Sequence, residues 1–149
     1  MTRIRRATGE PSRSPSAGQA LVEFALILPI FVLLMLAVFD LGRGIFTYNG
    51  LSEAAREIAR TTIVNNTGTV LGAGVETQRT IAVQKSLVPG LRVVSFECLN
   101  FDGTPSTATQ CSASGNLIKV TVASSYVPVA LLGLGGPIDL VSASSLQIP

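Results

Sequence analysis

Glu23 stands near the start of an apolar run, Ala20 to Phe39, that holds 20 residues and this single charge. That length matches the ~20 residues a helix needs to cross ~30 Å of hydrocarbon. An ionisable group in such a segment costs about 2.5–3.5 kcal/mol at the bilayer centre and less near the boundary. Taken alone, Glu23 either rests idle in the headgroup zone or has a role that its neighbourhood must identify. The other candidates for chemistry are Cys98 and Cys111, separated by 12 residues that include the turn-rich Asp102-Gly103-Thr104-Pro105-Ser106. A disulfide closing that loop would stabilise the domain by roughly 3 kcal/mol in the chain-entropy model. It requires an oxidising compartment; the alternative is two unrelated thiols, one of them buried.

Catalysis finds little support. The chain has no histidine, so neither a His-based triad nor a His-ligated metal site can be built. Two cysteines cannot complete a structural zinc site. No GxxxxGK[ST], GxGxxG or GxSxG pattern occurs, and Gly133-Leu134-Gly135-Gly136 lacks the Lys-Ser/Thr that would make it a phosphate loop. The carboxylates form no evident acid–base pair. The expectation is a non-enzymatic chain without catalytic residues, cofactor, metal or small-molecule substrate. A net charge of +2 is too small to argue for nucleic acid. Hydrophobic residues make up 47% and charged residues 13%, against about 25% charged in typical soluble domains.

Several elements must position these residues. Arg3, Arg5, Arg6 and Arg13 precede the run, opposed by Glu10. A basic segment directly before a span reads as a positive-inside signal, which places the N-terminus in the cytoplasm and the rest outside. The same segment is rich in Ser, Pro and Thr without hydrophobic periodicity, as in disordered leaders. A secretory signal peptide is the main rival, but the run exceeds the usual 7–15 residues and no A-x-A-like site follows it. Pro29 falls mid-span, where transmembrane helices tolerate proline, as a harmless kink or as a bend that suits packing. Gly42 and Gly44 follow, positions that loosen a helix or admit close contact.

From Ile45 to Val64 the pattern turns amphipathic. Tyr48, Leu51, Ala55, Ile58 and Thr62 recur at helical spacing, opposite Glu53, Arg56, Glu57 and Arg60. The i,i+3 pairs Glu53–Arg56 and Glu57–Arg60 add a few tenths of a kcal/mol each, and the segment extends the span outward as one rod. Asn65-Asn66-Thr67-Gly68 and Gly72-Ala73-Gly74 end it. Val75–Leu87 is a second helix, stopped by Pro89-Gly90. Beyond it Arg92, Val94, Phe96 and Cys98 alternate with Leu91, Val93, Ser95 and Glu97. In Leu117–Val127, residues Ile118, Val120, Val122 and Tyr126 share one strand face, and Ile138, Leu140, Leu146 and Ile148 share one face of a third strand. The apolar, Gly-rich Val129–Gly136 between them has the character of a surface against membrane or partner.

Gly18-Gln19-Ala20-Leu21-Val22-Glu23-Phe24 after a basic leader, Pro29, Asp40-Leu41-Gly42-Arg43 and Ala54-Ala55-Arg56-Glu57-Ile58-Ala59-Arg60 together resemble the TadE-like family of pseudopilins from tight-adherence (Flp-type) pilus systems. Ile58 departs from the pattern, since the family commonly has a small residue there. The resemblance covers Gly18 to Arg60 and implies specific roles. A prepilin peptidase would cut between Gly18 and Gln19, making Glu23 the fifth residue of the mature chain, followed by Phe24. That glutamate would pair with the freed amine of a neighbouring subunit, and the partners would be the membrane, the peptidase, other pilins or pseudopilins and Tad assembly proteins. The chain is thus expected to be a single-pass protein of the bacterial cytoplasmic membrane with an α+β, pilin-like fold: a leader over 1–18, a transmembrane helix over 19–40, and an external domain over 41–149 with a short second helix and a three- or four-stranded antiparallel sheet. Its expected role is that of a minor pilin or pseudopilin in pilus assembly and adhesion. The alternatives are a small secreted β-rich binding or adhesive domain and an unprocessed single-pass envelope protein.

Overall fold

The computed structural model describes residues 16–65, 70–106, 111, 114–129 and 136–149. The leader arginines, Asn66 to Gly68 and most of the Val129–Gly136 connection lie outside the described residues. The longest element, α1, runs unbroken from Ser16 to Val64, so the apolar run and the amphipathic segment form one rod, with Pro29 inside it. At 49 residues the rod is about 70 Å long at 1.5 Å per residue. Its outer half buries Leu51, Ala54, Ala55, Ile58, Ala59 and Thr62, the i, i+3, i+4, i+7, i+8 stripe of a helix with one partner face. Tyr48 does not join that stripe and is half exposed. Alanines at three of these positions leave room for close approach, and Ile58 is fully buried among them. Full burial of a side chain such as Ile58 contributes about 1.5–3 kcal/mol. Thr62 satisfies its buried hydroxyl by donating to the Ile58 carbonyl at 2.7 Å, as helical threonines can. The rod ends in the β-branched run Thr61-Thr62-Ile63-Val64, where the Asn65 main-chain and side-chain amides both donate to the Thr61 carbonyl.

The second helix, α2, spans Val75–Leu87, with Glu76 in its first turn and Lys85 in its last, each placed favourably for the helix dipole. It packs on α1 through Thr77 and Ile81. Three strands follow: β1 (Arg92–Leu99), β2 (Leu117–Tyr126) and β3 (Ile138–Gln147). They form an antiparallel sheet in the order β1-β2-β3, and the outer half of α1 lies across β2 and β3. The fold is therefore α+β: a long apolar N-terminal helix, a short second helix and, among the described residues, three strands, consistent with a membrane-anchored pilin-like plan.

The alternation expected in β1 is corrected by a register shift between Val93 and Ser95. A bulge inserts one unpaired residue and moves the following side chains to the other face. Val93, Phe96 and Cys98 pack on the core, whereas Val94 is exposed. In β2 the expected face is buried: Ile118, Val120 and Val122, joined by Ser124, whose hydroxyl donates to the Pro89 carbonyl at 2.8 Å. From β3, Leu140 and Leu146, and Ile148 just beyond, pack on this core, while Ile138 is half exposed at the sheet's end. Gly72 has φ +78 and lies against the Phe96 ring; a Cβ there would come within 2.5 Å of it, so only glycine fits both the backbone and the space. The expected helix-surface ion pairs Glu53–Arg56 and Glu57–Arg60 do not form. Arg92–Asp139 and Lys119–Glu97, both between strands, do.

Candidate functional site

Gly18, Gln19, Glu23 and Phe24 all lie on the first turns of α1 and are exposed. Glycine costs about 1 kcal/mol relative to alanine inside a helix. Gly18 has no conformational reason for that cost, since a Cβ built there would meet nothing within 4 Å and its backbone is not left-handed. Among the described residues, neither backbone conformation nor packing requires glycine at 18. Glu23 is followed by Phe24, Leu26, Ile27, Ile30 and Phe31, each more than half exposed. The apolar surface runs right round the rod from Leu21 to Phe39, with no part of the 18-residue apolar window buried among the described residues. By length and composition this helix can cross a membrane. A surface of this kind, apolar on all sides, is covered by lipid or by other helices.

The second cluster is a clasp between the rod and the sheet. Asp40 is almost fully buried. The Tyr126 hydroxyl, at the end of β2, donates to the Asp40 carbonyl at 2.8 Å and reaches its Oδ1 at 3.3 Å. The Arg43 guanidinium lies 3.5 Å from the same carboxylate and 5.6 Å from the Tyr126 ring centroid, within cation–π range. Burial of the Tyr126 hydroxyl, and then the negative charge of Asp40, raise its pKa above the ordinary 10.0, so it stays a proton donor at physiological pH. In the sequence Asp40 stands at the edge of the span and Tyr126 on the strand face of Ile118, Val120 and Val122, and nothing there brings them together. They are 86 residues apart. The available signal was a carboxylate at the end of an apolar run, which needs a partner wherever it is shielded from water.

Cys98 and Cys111 form a disulfide with a Cα–Cα distance of 5.7 Å, inside the usual 4.4–6.8 Å range. It ties the end of β1 to the segment entering β2. The intervening turn is shaped by Asp102, whose Oδ1 accepts from the Thr104 amide and hydroxyl; these bonds hold its carboxyl below the usual range. Beside it, Lys119 donates to Glu97 at 3.0 Å across the strand pair, which, with Ser95, lowers the Glu97 pKa. Among the described residues no group of three or more His, Cys, Asp or Glu side chains converges, so none is assigned to hold a metal.

The structure thus gathers the expected residues into two places, Gly18 to Phe24 at the start of the rod and the disulfide at the far end of the sheet, and adds the Asp40–Arg43–Tyr126 clasp between them. Comparison with curated proteins and with solved structures gives no match. The segment that carries the glycine, the glutamate, the clasp residues Asp40 and Arg43 and the buried alanine stripe is similar to a known family: residues 18–60 match the family model described as TadE-like protein.

Proposed function

We propose that this protein is a minor pilin or pseudopilin of a Tad (Flp-type) pilus system. It is non-enzymatic, anchored by the inner half of α1 with its N-terminus in the cytoplasm and its α+β domain outside. A prepilin peptidase removes the leader after Gly18, and Glu23 then pairs with the α-amine of Gln19 on a neighbouring subunit. The observation that carries this reading is the exposed, all-round apolar half of α1 with one carboxylate near its start, on the segment that matches the TadE-like model. A carboxylate at that depth is tolerable when paired, and a freed ammonium at the same depth supplies the pair. The lack of any packing need for glycine at 18 supports recognition of Gly18 by a processing enzyme. The uninterrupted helix through Asp40, and its clasp to Tyr126, support retention of the span over release from a signal peptide, because cleavage near Asp40 would sever the domain from a residue it holds.

Two substitutions test the proposal in the native host. Gly18 replaced by a bulky residue leaves the uncleaved precursor in the membrane; maturation to the wild-type mass would refute processing at this bond. Glu23→Ala inserts at least as well as wild type, because an apolar side chain is cheaper in the span, yet fails to assemble. Normal piliation in cells that carry only Glu23→Ala would remove the pairing role.

A further inference from the structure

We propose that the lower rim of the domain, formed by Leu41 and Phe46 of α1 with Val127 and Ile138 at the end of the sheet, is itself a lipid-contacting surface seated at the headgroup–acyl boundary. The proposal rests on the membrane-anchored reading above. It begins from an overlap along the rod. Two grooves of about 580 and 570 Å³ flank the seam where α1 meets the sheet. One is walled by Val38, Phe39 and Phe46 on the helix and by Tyr126 and Val127 on the sheet. The other is walled by Ala37, Leu41 and Ile45 facing Pro128 and Ile138. The end of the sheet therefore sits level with residues 37–46, and the first of these belong to the apolar run. Whatever bathes the run at that level also meets the rim.

The side chains there suit a bilayer boundary. Phe46 is 78% and Val127 52% exposed, with Leu41 and Ile138 also open. Exposed apolar side chains continue along α1 from Leu21 to Tyr48, a length of about 40 Å at 1.5 Å per residue, close to the full bilayer thickness including its interfaces. The charges at this depth are arranged for such a place. The Asp40 carboxylate is shielded and held by Tyr126 and Arg43, and the Arg43 side chain is more than half exposed, which keeps this buried charge paired and leaves its cation on the polar side of the boundary. The apolar surface encircles the rod below and opens on both sides of the seam above. That continuity fits a surrounding solvent such as lipid better than a one-sided protein partner.

The chain has no tryptophan, so a single introduced indole reports its own surroundings. Phe46→Trp and Val127→Trp are placed in the full-length chain, beside Phe31→Trp in mid-span and Phe101→Trp at the opposite end of the sheet, in phosphatidylcholine–phosphatidylglycerol vesicles. Lipids brominated at shallow or deep acyl positions serve as quenchers. The expected result is blue-shifted emission from positions 46 and 127 relative to 101. It also includes about two-fold quenching of both by shallow bromines, as for apolar faces lying about 5–10 Å into the boundary, and quenching of position 31 by deep ones. Quenching at 31 with positions 46 and 127 behaving like 101 overturns the lipid rim while leaving the anchor intact. Blue-shifted emission at 46 and 127 without bromine quenching also overturns it, because a protein surface then covers the rim. An unquenched position 31 overturns the anchoring reading itself. Two reporters on separate elements keep the test alive if one variant fails to fold.

Discussion

The two halves of α1 share one backbone and differ in what covers them. In the inner half, apolar side chains point in every direction and, among the described residues, nothing covers them. In the outer half, the apolar residues shrink to a stripe of alanines with Leu51 and Ile58, and that stripe is fully buried on the sheet and α2. The handover takes the turns between Asp40 and Leu51, where Leu41, Phe46 and Tyr48 are still exposed. Asp40 and Arg43 mark its start, and Tyr126 fixes the sheet to the rod at that level. The lesson is that helix formation and helix partnering are separate decisions. Continuous helical propensity sets the rod, whereas the width of the apolar surface decides whether the partner is the chain's own domain or something outside it.

This comparison predicts unequal responses to the same kind of mutation. Ile58→Ala creates a cavity in a filled core and should cost about 2–5 kcal/mol of domain stability, read as a lower midpoint of thermal or denaturant unfolding of the full chain in detergent. Leu33→Ala, in the half with no internal partner, should leave that midpoint where it was. Equal losses at both positions would break the comparison. Removing the Cys98–Cys111 bond comes next, at roughly 3 kcal/mol for a loop of this size within the usual 2–5 kcal/mol range. In protein taken directly from cells and denatured, neither cysteine should react with a maleimide until reductant is added. Labelling of two thiols would contradict an oxidising location for the domain.

The clasp gives a smaller effect with a signature in pH. Because the folded pKa of Tyr126 is raised, its contribution is present in full below the unfolded value near 10.0 and is lost as pH rises through the folded value. Tyr126→Phe should lower the unfolding midpoint at neutral pH and flatten its decline under alkaline conditions. An unchanged alkaline slope would mean that the clasp does not couple the halves. The smallest effect is expected at Glu97, half exposed beside Lys119. Its lowered pKa gives a contribution present above the unfolded value of 4.5 and lost as pH falls through the folded one. Glu97→Gln should therefore change stability slightly at neutral pH and not at all in strong acid.

Much of the fold was legible in the sequence because its signals are local. The span announces itself by length, α2 by its bounded pattern before Pro89-Gly90, β2 by strict alternation of Ile118, Val120 and Val122, and the cysteine pair by a turn of suitable length. The misses come from tertiary geometry. Plain alternation in β1 puts Val94 on the face of Phe96 and Cys98, but a bulge there puts Val93 instead of Val94 on the core side, and no residue in that stretch marks the insertion. Tyr48 has the right spacing for the buried stripe, but it falls beside the groove at the sheet's end and stays half exposed. Glu53–Arg56 and Glu57–Arg60 have the right spacing for ion pairs, yet exposed helical pairs gain so little that other rotamers win. The Asp40–Tyr126 clasp joins residues far apart in the chain, so only the unusual placement of the carboxylate hinted at it.

On the function proposed above, the inner half of α1 is matured and used as a pilin-type assembly helix. Intact-mass measurement of the mature protein from its native host tests this most directly. The expected chain begins at Gln19 and carries the Cys98–Cys111 bond. A chain that still carries residues ahead of Gly18, or one that begins near Asp40 as a secreted domain would, contradicts it.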